Sequence, residues 1–142
     1  MNDKLLIDTN VLVYAHDRDS SRYVQASEIL KTALASRQAV LSAQNLTEFC
    51  RVILEKTSPR AEYETARKFA RDLSNSAEII TYNGNTIDRA VEISEKHKLH
   101  FFDSLLAATM AQENISTIVT ENDRDFRKIP WLKVINPFKK RA

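Results

Sequence analysis

Lys4-Leu5-Leu6-Ile7-Asp8-Thr9-Asn10-Val11-Leu12-Val13-Tyr14 is the stretch from which the fold of this 142-residue chain is read. Four residues of buried-strand character, Lys4 to Ile7, run straight into Asp8, and an apolar helical pattern follows at once. That order puts a carboxylate at the carboxyl end of a strand, where open α/β sheets bind their ligands. An aspartate there can hold a metal ion, accept a phosphoryl group or cap the next helix. The rest of the chain has to choose among these.

Working outward, Val11, Leu12, Tyr14 and Ala15 predict a short helix. Val24, Ile29, Leu30 and Leu34 share one face of a second. Ala39-Val40-Leu41-Ser42 reads as a buried strand, and Leu46, Phe49, Cys50, Ile53 and Leu54 then follow the spacing of an amphipathic helix. Ser58-Pro59 suits the cap and first position of another helix, with Tyr63, Ala66, Ala70 and Leu73 on its inner face. Glu78 to Thr81 is a third strand. Asn85 and Asp88 resemble a capping box opening a helix that carries Ile87, Val91 and Leu99. Ser104 to Gln112 is apolar nearly all round and is expected to be buried. Ser116 to Thr120 and Leu132 to Ile135 complete the strands. Short apolar strands alternating with helices imply a parallel sheet covered on both faces. The expectation is one α/β domain over residues 1–142, a three-layer α/β/α sandwich with a central parallel sheet of four to five strands.

Composition removes several classes of function. The single glycine, Gly84, leaves no way to write a Walker loop or a GxGxxG turn. Three scattered histidines (His16, His97, His100) and one cysteine, Cys50, make no zinc set, so a bound metal would be held by oxygen. A lone cysteine also excludes an internal disulfide framework and fits a reducing cytosol. Cys50 falls on an apolar helix face and reads as core. No run approaches the roughly 20 apolar residues of a membrane span, and Met1-Asn2-Asp3-Lys4 is no basic-then-apolar leader. A cytoplasmic protein without a membrane partner is therefore expected. The net charge of +2 argues little about nucleic acid, and only Lys139-Lys140-Arg141 is locally basic.

Asp8, Glu48, Asp103 and the group Asn122, Asp123, Asp125 all fall at or just after the carboxyl ends of strands or at the start of helices. In a parallel sheet such positions can line one edge. Carboxylates crowded in a partly dry cleft repel one another unless a cation neutralises them, and oxygen donors suit Mg²⁺ or Mn²⁺. Such a site hydrolyses phosphodiesters. Each residue also has a plainer role open to it. Asp8 and Asp103 can each cap a helix; Glu48 points nearly opposite the Leu46/Cys50/Ile53 stripe, as a solvated residue would; and Asp123 and Asp125 lie in a polar loop. A receiver-like phosphoacceptor is disfavoured, because neither Leu41-Ser42 nor Ile80-Thr81 ends in an aspartate.

The opening Leu5-Leu6-Ile7-Asp8-Thr9-Asn10-Val11 resembles the signature of PIN-domain nucleases, particularly VapC-type toxins of toxin–antitoxin pairs. Ser42 to Phe49 is similar to the family's second motif, with its glutamate at Glu48, and Phe102-Asp103-Ser104-Leu105-Leu106 to the third. Val119 to Phe126 resembles the fourth, and Val134-Ile135-Asn136-Pro137-Phe138 is a typical ending. The resemblance implies an Mg²⁺- or Mn²⁺-dependent ribonuclease with Asp8 and Asp103 as metal ligands. Glu48 would be a further acidic member, binding the metal through water or orienting the attacking water. It implies an acidic or amide side chain two residues after Thr120, which is Asn122; Asn is no base, so Asp125, or after it Asp123, would supply a fourth carboxylate. Thr9 and Asn10 match positions that shape the pocket by hydrogen bonding. The implied partners are an RNA substrate, a cognate antitoxin and a second copy in a homodimer. Arg51, Lys56, Arg124, Arg127, Lys128 and the tail are the cations available to RNA phosphates. The alternative is a PIN fold without chemistry, acting as an RNA- or protein-binding module.

Overall fold

Five short strands, each too brief to stand alone, run side by side in one direction through the centre of the protein. In the computed structural model, which describes residues 3–139, these are β1 (Leu5–Ile7), β2 (Ala39–Ser42), β3 (Glu78–Ile80), β4 (Thr117–Val119) and β5 (Lys133–Ile135). Every pairing is parallel and the order is β3-β2-β1-β4-β5. All five lie within a residue of the predicted strands. Lys140 and Arg141 of the basic tail, like Met1 and Asn2, lie outside the described residues.

Alternation along the strands builds two apolar layers. Leu6, Val40, Ile80 and Ile118 face one side, where they meet Leu99, Leu106, Ala107, Met110 and Phe126. These come from or adjoin α5 (Gly84–His97), α6 (Phe101–Gln112) and the short α7 (Asp123–Phe126). Ile7, Ala39, Leu41 and Val119 face the other side, against Val11, Leu12, Ala26, Phe49, Ile53 and Leu73. Those belong to α1 (Thr9–His16), α2 (Tyr23–Ala35), α3 (Ala43–Glu55) and α4 (Tyr63–Ser76). The three-layer α/β/α architecture with a parallel sheet is thus the observed one. Phe49 and Ile53, both essentially inaccessible to water, are the anchors of α3; truncating a buried Phe costs about 3–5 kcal/mol.

Local details depart from the sequence reading where tertiary contacts outweigh local preference. Helix α4 starts at Tyr63 with Glu62 at its cap, not at Ser58-Pro59. The intervening loop folds back on the end of α3, where the Ala61 amide donates to the Ile53 carbonyl (2.8 Å) and the Thr57 hydroxyl to the same oxygen (3.0 Å). The capping box of α5 is Asn83 with Thr86, two residues earlier than expected. Tyr63, expected on an inner face, is exposed, and so are Val24, Ile87 and Val91 of the helical patterns. On α2 and α5 the small residues Ala26, Ser27, Ala33 and Ala90 face inward instead, because they let a helix approach its neighbour closely. Among the described residues no helix is long and apolar enough to cross a membrane.

Candidate active site

The chain runs from β1 outward to β2 and β3, then returns to the other side of β1 for β4 and β5. The crevice beyond the carboxyl ends of β1 and β4 is therefore the switch point of the sheet, where ligands bind in open α/β folds. Asp8 stands there. Its amide donates to the Val119 carbonyl at the end of β4 (3.0 Å). Its side chain caps α1 by accepting from the Thr9 amide (2.8 Å), so the capping role is real and is one of several.

Four donors hold the Asp8 carboxylate. Oδ1 accepts from Thr9 N and from Asn45 Nδ2 (3.3 Å). Oδ2 accepts from the Thr120 hydroxyl (2.7 Å) and Asn10 Nδ2 (3.3 Å). Thr120 is fully buried and its oxygen also accepts from the Asn122 amide (2.9 Å). Asn45, 1% exposed, has every polar atom of its side chain paired. Its Oδ1 accepts from Ser42 N and Oγ (3.2 and 2.8 Å), and its Nδ2 reaches both Asp8 and Thr9 Oγ1 (3.1 Å). Ser42 and Asn45 form the capping box of α3, so one pair of side chains starts that helix and anchors Asp8. Neither Asn45 nor Thr120 was singled out from the sequence as a site residue. The Ser-x-x-Asn spacing at the end of β2 was the available signal for Asn45.

Glu48 occupies the second turn of α3. Its Oε2 accepts from Thr9 Oγ1 (3.2 Å) and its Oε1 from Gln44 Nε2 (3.2 Å). It does sit away from the α3 stripe, but the space it faces is the crevice. Asp103 lies in the first turn of α6, two residues after the helix begins. That helix has no side-chain cap, so Asp103 is not one. Asn122 Nδ2 lies 3.4 Å from Asp103 Oδ2. Asp8, Thr9, Asn10, Val13, Tyr14, Glu48, Val52, Asp103 and Asn122 line a single cleft of about 390 Å³.

Acidic groups gather in this cleft with no Lys or Arg paired to them among the described residues. Asp103 is pushed up from 3.8 to about 6, first by burial and then by the charges of Asp8, Asp125 and Glu48, with His100 opposing. Burial, with help from Glu48, raises Asp8 against the pull of its hydrogen bonds. Amides and hydroxyls hold Asp8, Glu48 and Asp103, orienting each carboxylate without neutralising it. That donor set, all oxygen and mutually repelling, suits a hard divalent cation. As placed, no three acidic, His or Cys side chains among the described residues converge tightly enough to hold a metal between them.

The remaining acidic candidates separate. Asp123 is buried, turned toward the C-terminal segment, and receives Lys139 Nζ (2.8 Å) and Asn136 Nδ2 (3.1 Å). The Lys139 bond, opposed by burial, sets its carboxyl below the usual range. Asp125 pairs with Lys128 (3.7 Å) and acts on Asp103 only through its charge. Asn122 lines the cleft, and Asp123 and Asp125 do not. Cys50 is partly buried against the core, and burial raises its thiol.

The PIN-domain family profile matches residues 5–132. The chain belongs to the PIN-domain family. Among curated proteins none matches the sequence. Solved PIN structures resemble it in fold along nearly the whole chain. A toxin–antitoxin complex from Klebsiella pneumoniae has a TM-score of 0.71 at 22% identity, covering 96% of this chain and 100% of its counterpart. FitAB bound to an IR36 DNA fragment reaches 0.75 at 18%, covering 97% and 98%. VapC20 of Mycobacterium tuberculosis, described as a sarcin–ricin-loop-cleaving toxin, scores 0.63 at 19%, covering 81% and 87%. In the PIN domain described here, the profile spans every residue that lines the cleft.

Proposed function

We propose that this PIN domain is a metal-dependent endoribonuclease and the toxin of a type II toxin–antitoxin pair, acting in the cytoplasm. The observation that carries the reading is the convergence of Asp8, Glu48, Asp103 and Asn122, from four separate elements, on one cleft at the switch point. Burial, and after it mutual repulsion, raises the proton affinities of Asp8 and Asp103 there, and a bound cation would offset both. The resemblance to toxin components supports the biological setting.

Asp8 and Asp103 would hold Mg²⁺ or Mn²⁺ directly and Glu48 through a water, since Mg²⁺ keeps several of its waters. An ion held there would supply Lewis acidity, polarising a phosphate oxygen and lowering the proton affinity of a water nucleophile. The four hydrogen bonds on Asp8 hold its carboxylate in one orientation. Glu48, steadied by Thr9 and Gln44, orients the attacking water and accepts its proton at the carboxylate. Asn122 donates to Asp103 and cannot act as a base. The cognate antitoxin covers the acidic cleft, and the active form is a homodimer.

The test is cleavage of a mixed RNA pool by protein freed of antitoxin, with Mg²⁺, Mn²⁺ or EDTA, beside Asp8→Asn and Asp103→Asn. Metal-dependent cutting that both substitutions abolish is expected. Cutting that survives EDTA and both substitutions refutes the mechanism. Metal-independent RNA binding without cutting would instead favour the binding-module reading, for which the amide at Asn122 is the one structural argument.

A further inference from the structure

Phe101 and Phe102 open α6, immediately before Asp103. The seven residues from Ser104 to Met110 are all buried. The two phenylalanines are not: Phe102 is 62% exposed and Phe101 38%, with their rings edge to face at 5.8 Å. Single exposed apolar residues need no explanation. Two adjacent aromatic rings beside a cleft-lining carboxylate do, because none of the hydrogen bonds that order the site requires them.

The backbone that carries them is tied to the cleft. Gln44 Nε2 is shared between the Phe102 carbonyl (3.1 Å) and Glu48 Oε1 (3.2 Å). One amide thus ties the turn that carries the ring to an acidic residue of the site, and Asp103 is the next residue along the chain. A flat group resting on Phe102 would lie within one residue of Asp103 along the chain and one amide bridge from Glu48.

We infer that Phe102, backed by Phe101, is a nucleobase platform that seats an unpaired base of RNA beside the phosphodiester addressed by the carboxylates. The inference rests on the ribonuclease reading above and specifies the substrate side of that site. Every base offers a π-face, so stacking tolerates sequence and needs no charge. That matters here because several cations are already engaged: Arg22 with Glu121, Arg127 and Lys139 with Asp123, Lys128 with Asp125, and Arg51 with Glu55. Stacking on the platform offsets weak phosphate binding. A duplex keeps its bases stacked on one another, so the platform selects single-stranded segments. One stacked base contributes about 5- to 140-fold in affinity, from the usual energy range at about 1.4 kcal/mol per decade.

The experiment places Phe102→Ala, Phe102→Leu and Phe102→Trp in the full chain, each alone and with Asp8→Asn to stop cleavage. Binding of a fluorescein-labelled single-stranded RNA and of its duplex is measured by anisotropy, cleavage by gel, and oligomeric state by light scattering. The Ala and Leu changes are expected to weaken single-strand binding at least about fivefold, with Trp retaining it and duplex binding indifferent to all three. A Leu variant that binds like the parent refutes stacking. A change of oligomeric state, or equal losses for single strand and duplex, assigns the rings to a protein interface and overturns the platform. If the Ala variant binds and cleaves as the parent does, the platform fails and the ribonuclease stands. A parent that neither binds nor cleaves RNA refutes the ribonuclease and the platform with it.

Discussion

Replacing Asp103 by Asn keeps the shape of the side chain and removes its charge, which should stabilise the metal-free protein while abolishing its activity. In the folded chain the Asp103 carboxyl titrates near 6 instead of 3.8, from burial and then from the charges of Asp8, Asp125 and Glu48. A folded-state value above the unfolded one means that the folded chain holds this proton more tightly. The resulting stabilisation is fully present below about pH 4 and is lost as the pH rises through about 6. At about 1.4 kcal/mol per pH unit the interval from 3.8 to about 6 sets a ceiling of about 3 kcal/mol. The side chain is partly solvated, so screening reduces the expected effect to about 1–2 kcal/mol at pH 7. For a chain of this size that is a rise in melting temperature of about 3–6 °C. Thermal or urea unfolding of both proteins in EDTA from pH 4 to pH 8 measures it. The curves should nearly coincide at pH 4, part between pH 4 and about 6 and run parallel above that, and Mg²⁺ should close the gap by stabilising the parent. A variant that is less stable at pH 7, or a gap as large at pH 4 as at pH 7, would refute the account of strained charge.

Three other substitutions probe the scaffold around Asp8. Asn45→Ala and Ser42→Ala both open the capping box of α3, at about 1 kcal/mol. Only the first also removes donors from Asp8 and Thr9, so it should lose far more cleavage than Ser42→Ala; equal losses would reduce Asn45 to a cap. Thr120→Val deletes the shortest hydrogen bond to Asp8 and should lower cleavage about 10- to 100-fold with the fold retained, as checked by circular dichroism. Asp123→Asn weakens the tie to Lys139 and should destabilise the protein by about 1–3 kcal/mol at pH 7. Because the Asp123 carboxyl lies below its ordinary value, that contribution is present above about pH 4 and is lost in acid. The variant and parent should therefore converge as the pH falls, and an unchanged gap in unfolding at low pH would count against the tie.

The strands and the place of Asp8 were legible because both are local properties. Apolar runs of three to five residues mark the strands, and Asp8 is one peptide bond beyond β1, so its position at the sheet edge follows from the chain itself. The same locality placed Asp103 at the head of a buried helix. Glu48 was harder, since a helical wheel shows only that it avoids the core stripe, and both solvent and an off-core cleft satisfy that. Asn45 was illegible for a related reason. A polar residue reads as surface unless its partners are known, and its partners are Ser42, Asp8 and Thr9, two of them 36 or 37 residues away. Likewise Ile87 and Val91 carry helical spacing, but α5 turns the small Ala90 inward.

The sequence by itself determined the periodicities, hence the alternation of strands and helices, the parallel sheet, and the set of carboxylates that could meet. Only the tertiary structure decided which of them do meet. Insertion of β1 between β2 and β4 brings Thr120 onto Asp8 across 112 positions of chain, and α7 turns Asp123 toward Lys139 while leaving Asn122 in the cleft. Such long-range pairings depend on how two faces of a sheet are covered, which no local pattern encodes.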